Sequence, residues 1–504
     1  MPLRIPTILD VREIARTNFL TLSAEEETDY LSLLKGMVED MDRFDRLPDP
    51  VRTLNHVIRD AGYRPSREED PYNALVRRCY VKGTGKGKLA GKRIAVKDSI
   101  SIAGVPLTCG SLVLQGYVPD TDATVIERVL NAGAEITAIT NMDDFAFAAA
   151  GETSAYGPTL NPHDADRLAG GSSSGAAAAL YYDDIDLSIG CDQGGSIRIP
   201  ASWCGVVGLK PTHSLVPYTG ILGIDATIDH VGPMARNCAD AALLLEVMAG
   251  HDPRDPRQLN TPAGFSLEKL DSGLKGVRIG ILQEGFGGKG ADPEVENVVR
   301  RAIKILAESG AEAKSVSVSL HQQAGSALFP VVAEGVTALM YGNGNGHHAK
   351  GYYNAGLAST LAKARRAQAD DFSPHLKLTL MLGTYLHEHY HGRIYAKAQN
   401  LRPTIQGAYD QALNDVDVLA MPTTPIPANR CQPTKSLVSL VNDGWGMLSN
   451  TAPFDVTGHP AISIPCGKIG QLPIGLMLVA KHFDDGMLLR IGRAFENAVA
   501  WETL

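Results

Sequence analysis

The chain has 504 residues, with 47 Lys plus Arg against 56 Asp plus Glu, giving a net charge of −9. At roughly 100–200 residues per domain, this is long for a single domain and ample for a large buried core. A composition 44% apolar and 20% charged excludes global disorder, and the acidic balance argues against a dedicated nucleic-acid binder, which needs a basic footprint to neutralise phosphates.

The first residues, MPLRIPTILDVREIAR, carry no apolar core of 7–15 residues ahead of their first charges, so a secretory leader is not expected. No uninterrupted apolar run approaches the roughly 18 residues of a membrane span, so no membrane partner is expected. Seven cysteines (Cys79, Cys109, Cys191, Cys204, Cys238, Cys431 and Cys466) are scattered, and none form a CxxC pair. Reduced thiols in a cytoplasmic protein, without a disulfide framework or thiolate zinc site, are the expectation.

Residues 1–70 read as a helical, acidic N-terminal extension. Ser23 and Glu26 have capping-box spacing, and Tyr30, Leu34, Met37, Met41 and Phe44 follow at helical intervals until LPDP at 47–50. From 71 to 504 the pattern changes. Strand-like segments IAVKD, ITAITN, LSIGCD and GVVGL alternate with helical stretches at 122–130 and 239–248. The strand signal resumes at 277–282, 417–425, 461–465 and 474–480, while 292–310 and roughly 326–415 read as helical. Such alternation predicts an α/β fold with a buried sheet.

Three segments carry chemistry. In IAVKDSISIAGVPLTCGS, Lys97 ends an apolar strand; burial there would destabilise its ammonium and make it a base, although neighbouring Asp98 could oppose this. LAGGSSSGAAAAL at 168–180 and GCDQGGSIRIPASWCGVVGLKPT at 190–212 are glycine–serine loops bracketed by apolar elements, unlike flexible linkers. Glycines 170, 171, 194 and 195 let backbone N–H groups converge on an anion, and Ser172, Ser173, Ser174 and Ser196 favour acyl transfer. Neither loop ends in the G-K-[ST] of a phosphate-binding loop.

These three segments, in this order and spacing, resemble the amidase signature family of serine hydrolases. NMDDFAFAAAGETSAYGPTLNPHD, DHVGPMARNCADAALLLEVMAG and NTAPFDVTGHPAISIPCG extend the likeness, which is dense over 72–260. The resemblance implies a mixed central β-sheet covered by helices on both faces. It also implies a catalytic set of Ser196 as nucleophile, Ser172 after a cis peptide bond as proton relay, and Lys97 as base. The N–H groups of Gln193, Gly194, Gly195 and Ser196 would form the oxyanion hole, with Ser173 in support. Met142, Phe147, Gln193, Trp203, Ile221, Trp445 and Phe454 are candidate pocket residues. Departures are Ser174 in place of a second glycine, Cys191 where a small hydroxyl or glycine is usual, and the bulky, acidic LYYDDID at 180–186.

The expected activity is hydrolysis of a carboxylic amide to acid plus ammonia or amine, through a Ser196 acyl-enzyme, without metal or organic cofactor. The substrate would be a small amide or carbamate, and bacterial broad-spectrum amidases with a helical extension suggest a homodimer. Carbamate (urethane), hydrazide or cyclic-amide hydrolysis would use the same groups. A glutaminase subunit of a tRNA amidotransferase would need a residue for the glutamine ammonium, and WGMLSNTAPFD offers mainly apolar groups before Asp455. HEHYH fits H-E-x-x-H with His387 and His391, but Ile394 and Lys397 stand where the extended metal pattern wants Gly and His. GSSSG at 171–175 follows a polar turn rather than the strand a nucleophile elbow needs, and GFGGKG at 285–290 is separated from the next helix by Asp292-Pro293. The basic run from Lys82 to Arg93 has no interleaved aromatics and reads as a solvated loop.

Overall fold

The computed structural model describes residues 2–48, 53–258, 261–262, 268–344 and 350–504. The chain divides into two compact units, Met1–Asn55 and His56–Leu504. The first contains helices Ile8–Thr17 and Ala24–Asp45, and the Ser23–Glu26 capping box expected from the sequence opens the second. The stop read at 47–50 falls in part outside the described residues. The division comes before the expected boundary at residue 70, because residues 59–63 form a strand of the larger unit.

Among its described residues, that unit has fourteen strands: β1 (Arg59–Tyr63), β2 (Leu75–Lys82), β3 (Arg93–Lys97), β4 (Glu135–Thr140), β5 (Leu160–Asn161), β6 (Asp164–Leu168), β7 (Leu187–Asp192), β8 (Val207–Lys210), β9 (His230–Ala235), β10 (Arg278–Leu282), β11 (Glu312–Val316), β12 (Val418–Pro422), β13 (Ala461–Ile469) and β14 (Leu472–Ala480). Twelve form one sheet in the order β1-β2-β4-β3-β7-β9-β8-β13-β14-β12-β10-β11, and β5 pairs with β6 in a separate ribbon. β3 runs parallel to β4 and β7, and β10 runs parallel to β11 and β12, while antiparallel pairs join these two zones.

Alternation along the strands explains why both faces are covered. Ile94, Val96, Leu187 and Ile189 join the core that includes helices Thr124–Asn131, Cys238–Met248 and Asp485–Ala498. Ala95, Ala138 and Met234 point the other way, against Ala176–Ala179 and the buried helix Arg198–Cys204. Small residues on that second face let the two serine loops lie close to the strands. This is the expected mixed α/β architecture.

By composition, the helical run His321–Tyr341 is long and apolar enough to cross a membrane, with a mean hydropathy of 1.3 over its window. Its residues Leu328, Val331, Val336 and Met340 are instead buried in a core shared with Leu357, Leu361 and Leu376.

Candidate active site

The parallel pairing of β3 and β7 brings the chemistry together. Ile94 lies opposite Leu187 and Val96 opposite Ile189, so both strands deliver their carboxyl ends to one edge: Lys97 from β3, and Cys191 and Asp192 from β7. Lys97 is fully buried. Its Nζ lies 2.8 Å from Ser172 Oγ, 2.8 Å from Ser173 Oγ and 3.3 Å from the Cys191 carbonyl oxygen. The Ser173 hydroxyl donates to that same carbonyl at 3.0 Å. Burial lowers the Lys97 pKa from its usual value of 10.5, with Cys191, Asp192 and Asp143 acting the other way. Asp98, the apparent opponent in the sequence, is turned aside: its carboxylate accepts from the Thr108 hydroxyl, from the Thr108 amide at 3.1 Å and from the Gly110 amide at 3.0 Å.

The Gly171–Ser172 peptide bond is cis. Asp143 braces this turn, receiving Gly151 N at 2.9 Å, and Thr153 N and Oγ1 at 2.9 and 2.8 Å. A Cβ on Gly171 would come within 2.0 Å of Asp143 Oδ2, so the close approach requires glycine. The Ser173 amide donates to the Ser196 carbonyl at 3.1 Å, tying the two serine loops to each other. Ser172 Oγ and Ser196 Oγ make no hydrogen bond to each other, so a direct relay requires the Ser196 hydroxyl to turn toward Ser172.

The loop carrying Ser196 is organised by Asp192. Its Oδ1 accepts from Gly195 N at 2.6 Å, and Oδ2 accepts from Ile197 N at 3.0 Å. The expected four-donor oxyanion hole is thereby revised, because the Gly195 N–H is already committed to a carboxylate. The amides of Gln193, Gly194 and Ser196 make no hydrogen bond among the described residues and remain as candidate donors.

Behind this loop the fully buried Arg198 bridges two carboxylates. Its Nε reaches Asp192 Oδ2 at 2.9 Å, Nη2 reaches Asp192 Oδ1 at 2.9 Å and Asp455 Oδ2 at 2.6 Å, and Nη1 donates to Thr451 O at 2.9 Å. Burial opposes ionisation of both acids, but Arg198 holds Asp192 below the usual carboxylate range. Asp455 is pushed well above it by burial and by the charge on Asp192. Asp455 is therefore part of the loop's foundation rather than a group facing substrate. No local sequence signal points to this Arg198 bridge.

Ser196 opens onto a cleft of about 60 Å³ with no charged side chain in its wall. Phe147, Gln193 and Trp445 line it, and Trp445 Nε1 donates to Phe147 O at 3.0 Å. Met142, Trp203 and Phe454 do not line it; they are buried core residues. Ile221 belongs to a neighbouring cavity of about 800 Å³, which shares Ile224 with the cleft. Leu328, Phe329, Val332 and Leu382 complete the cleft wall from helices Leu328–Tyr341 and Pro374–Tyr390. Helical periodicity marks them as apolar but gives no sign that they face Ser196.

The rival motifs fall apart structurally. His391 sits at φ +53° as the C-cap of helix Pro374–Tyr390, so it leaves the helical face on which H-E-x-x-H would pair it with His387. Asp292 caps helix Pro293–Glu308, leaving GFGGKG as the connecting loop.

An open mixed sheet thus brings a buried lysine, paired serine loops and free loop amides to one strand edge. The family model Amidase matches residues 73–489. A glutamyl-tRNA(Gln) amidotransferase subunit from Cyanothece sp. is 39% identical over 423 residues, covering 83% of this chain and 86% of that protein. An enantioselective amidase from Rhodococcus rhodochrous is 39% identical over 445 residues, covering 86% and 85% respectively. The crystal structure of the corresponding glutamyl-tRNA(Gln) amidotransferase subunit from Thermotoga maritima superposes with a TM-score of 0.72 at 29% identity, covering 85% of this chain and 88% of that one. The chain belongs to the amidase family.

Proposed function

We propose that this protein is a stand-alone amidase hydrolysing neutral carboxamides with a short apolar acyl group to acid plus ammonia or amine. One observation supports this reading above the others: the cleft of about 60 Å³ beside Ser196 is apolar and uncharged. Ser196 attacks the carbonyl, and the N–H groups of Gln193, Gly194 and Ser196 receive the developing oxyanion. Ser172 relays the proton to Lys97, which returns it to the leaving amine; water then cleaves the acyl-enzyme.

Proton counting supports these roles. A neutral amine has two N–H bonds and one lone pair. The Ser173 hydroxyl already donates to Cys191 O, so the two Nζ hydrogens satisfy Ser173 Oγ and Cys191 O. The lone pair is left facing the Ser172 hydroxyl at 2.8 Å. Ser173 is thus a positioning residue that orients the base.

The relatives that are amidotransferase subunits favour a second reading, a glutaminase working with partner subunits. A glutamine carries an ammonium and a carboxylate, for which the cleft itself offers no charged partner, so this reading requires the substrate to extend into the neighbouring cavity lined by Asp229, Arg254 and Arg257. Carbamates, hydrazides and cyclic amides present the same carbonyl to Ser196 and differ only in fit.

The test combines labelling with a substrate panel. A fluorophosphonate should add once, on Ser196, with or without chelator, and the adduct should disappear in Lys97→Ala. Ser196→Ala should lower kcat for short aliphatic amides by at least about 10⁴-fold. Turnover of glutamine in preference to those amides would overturn the substrate reading, and an adduct on Ser173 would overturn the assignment of the nucleophile.

We propose in addition that residues 1–55 mediate a homodimer. Helix Ala24–Asp45 has no buried residue and leaves Tyr30, Leu33, Met37, Met41 and Phe44 between 49% and 74% exposed. Their spacing forms a stripe along one helix face that a second copy of the same helix would cover.

A further inference from the structure

Three side chains from distant parts of the chain converge outside the Ser196 site. Asp410 lies on helix Arg393–Asp415, His459 between helix Ala452–Thr457 and β13, and His482 two residues beyond β14. His459 Nε2 is 3.0 Å, and His482 Nδ1 4.0 Å, from the same Asp410 Oδ1. The donor atoms of all three lie within 4.8 Å of one another.

The hydrogen bonds fix the chemistry of this cluster. His482 Nε2 lies 3.0 Å from Thr457 O. A carbonyl only accepts, so Nε2 carries the proton and the neutral ring turns its Nδ1 lone pair toward Asp410. A lone pair facing a carboxylate is repulsive unless something positive lies between them. His459 is buried, and its Nδ1 lies 2.8 Å from Thr457 Oγ1. A hydroxyl accepts as readily as it donates, so the ring can place its proton on Nδ1 and free Nε2. Each imidazole therefore has the outer partner that orients a metal-ligating histidine. Zinc bonds of about 2.0–2.1 Å place tetrahedral ligands about 3.3 Å apart, between the two separations observed. Asp410 is 45% exposed, which leaves one side open to water.

We propose that Asp410, His459 and His482 bind a divalent transition metal, zinc(II) foremost, with water completing the coordination sphere. Two imidazoles and one carboxylate suit zinc better than calcium or magnesium, which prefer all-oxygen sites. None of the three residues contacts Lys97, Ser172 or Ser196. The ion would pin helix Arg393–Asp415 to the segment after Thr457, stabilising the fold without entering the reaction. Lys210, fully buried with Nζ donating to Pro211 O at 3.1 Å, bears on both imidazoles and works against the ion.

The full-length protein, freed of metal by chelation, should take up one zinc per chain by calorimetry, with a Tm rise of about 2–5 °C in excess zinc. Cobalt(II) should give the visible bands of a low-coordinate site. His482→Gln keeps a donor for Thr457 O but removes the Nδ1 ligand, and Asp410→Asn keeps the bond to His459 but removes the charge. Each should weaken zinc binding at least about 10-fold while leaving amide turnover unchanged. Absence of zinc uptake by the parent protein, or equal uptake by both variants, would overturn the site. Zinc uptake abolished only by His387→Gln would place the metal elsewhere and overturn it equally. Should the His482 variant fail to fold, half-exposed Asp410 supplies the same comparison.

Discussion

At the scale of single residues, the question is whether Lys97 is a charged donor holding two loops or a neutral base. A charged ammonium would also satisfy its three oxygen partners, so hydrogen bonding alone does not separate the two. Desolvation does: all three partners are neutral oxygens, and a fully buried ammonium without an ion-pair partner costs several kcal/mol. Burial therefore favours the neutral form, and the sign of its pH dependence follows. The folded pKa lies below the unfolded value of about 10.4, so between the two the unfolded chain binds the extra proton and stability rises with pH. Activity should follow the same direction, with kcat/KM falling as pH drops through the folded pKa. Lys97→Met should remove that acid limb and at least about 10⁴-fold of the activity, yet change stability at pH 7 by less than about 1.5 kcal/mol, as measured by urea unfolding. A loss of several kcal/mol would make Lys97 a structural cation.

At the scale of elements, the Asp192–Arg198 loop is a turn whose shape is imposed from beneath. Gly195 has φ +141°, and a Cβ there would come within 2.4 Å of Thr451 Oγ1 and 2.7 Å of Ile199 Cδ1. Gly195→Ala must move the loop, displacing the Gly194 and Ser196 amides on either side. A fall of about 10²–10³ in kcat, with circular dichroism unchanged, is the expected outcome, and KM should move far less. How much of this is legible in the sequence varies by element. β7 and its glycine turn are legible because LSIGCD is a fully buried strand followed by residues that only a constrained loop needs. β9 is not, since HVGPMA carries Gly and Pro inside a central strand, where local pattern argues against one. β2 escapes notice because Arg77 and Arg78 interrupt its apolar run; Arg77 donates to Ala61 O and Gly62 O of the edge strand β1, so its charge serves the sheet rather than breaks it. The cleft wall from Leu328 and Leu382 is hidden for another reason. Helical periodicity says which side of a helix is buried, not which distant serine it faces.

At the scale of the molecule, the boundary between the two units is sharper than the sequence pattern implies. Every residue assigned to the Ser196 site, and the proposed zinc site as well, lies within His56–Leu504. Residues 56–70 belong to that unit energetically, because Arg59 grips the buried Asp122 through two bonds of 2.8 and 2.6 Å and adds a third to Ala103 O at 3.1 Å. Two truncations separate these contributions. A chain starting at residue 56 keeps the ion pair and the edge strand, and should retain amide turnover within about twofold and a cooperative unfolding transition. A chain starting at residue 71 strands Asp122 without its cation and should lose about 3–5 kcal/mol of stability, read from the shift in urea midpoint. Asp122→Asn in that shorter chain removes the unpaired charge and should recover part of the loss, which distinguishes a stranded carboxylate from the mere absence of a strand. Light scattering on the same proteins tests the homodimer: the full chain should run as a dimer and the chain from residue 56 as a monomer. A dimer that survives the shorter cut would move the interface off the exposed stripe of helix Ala24–Asp45 and onto the catalytic unit.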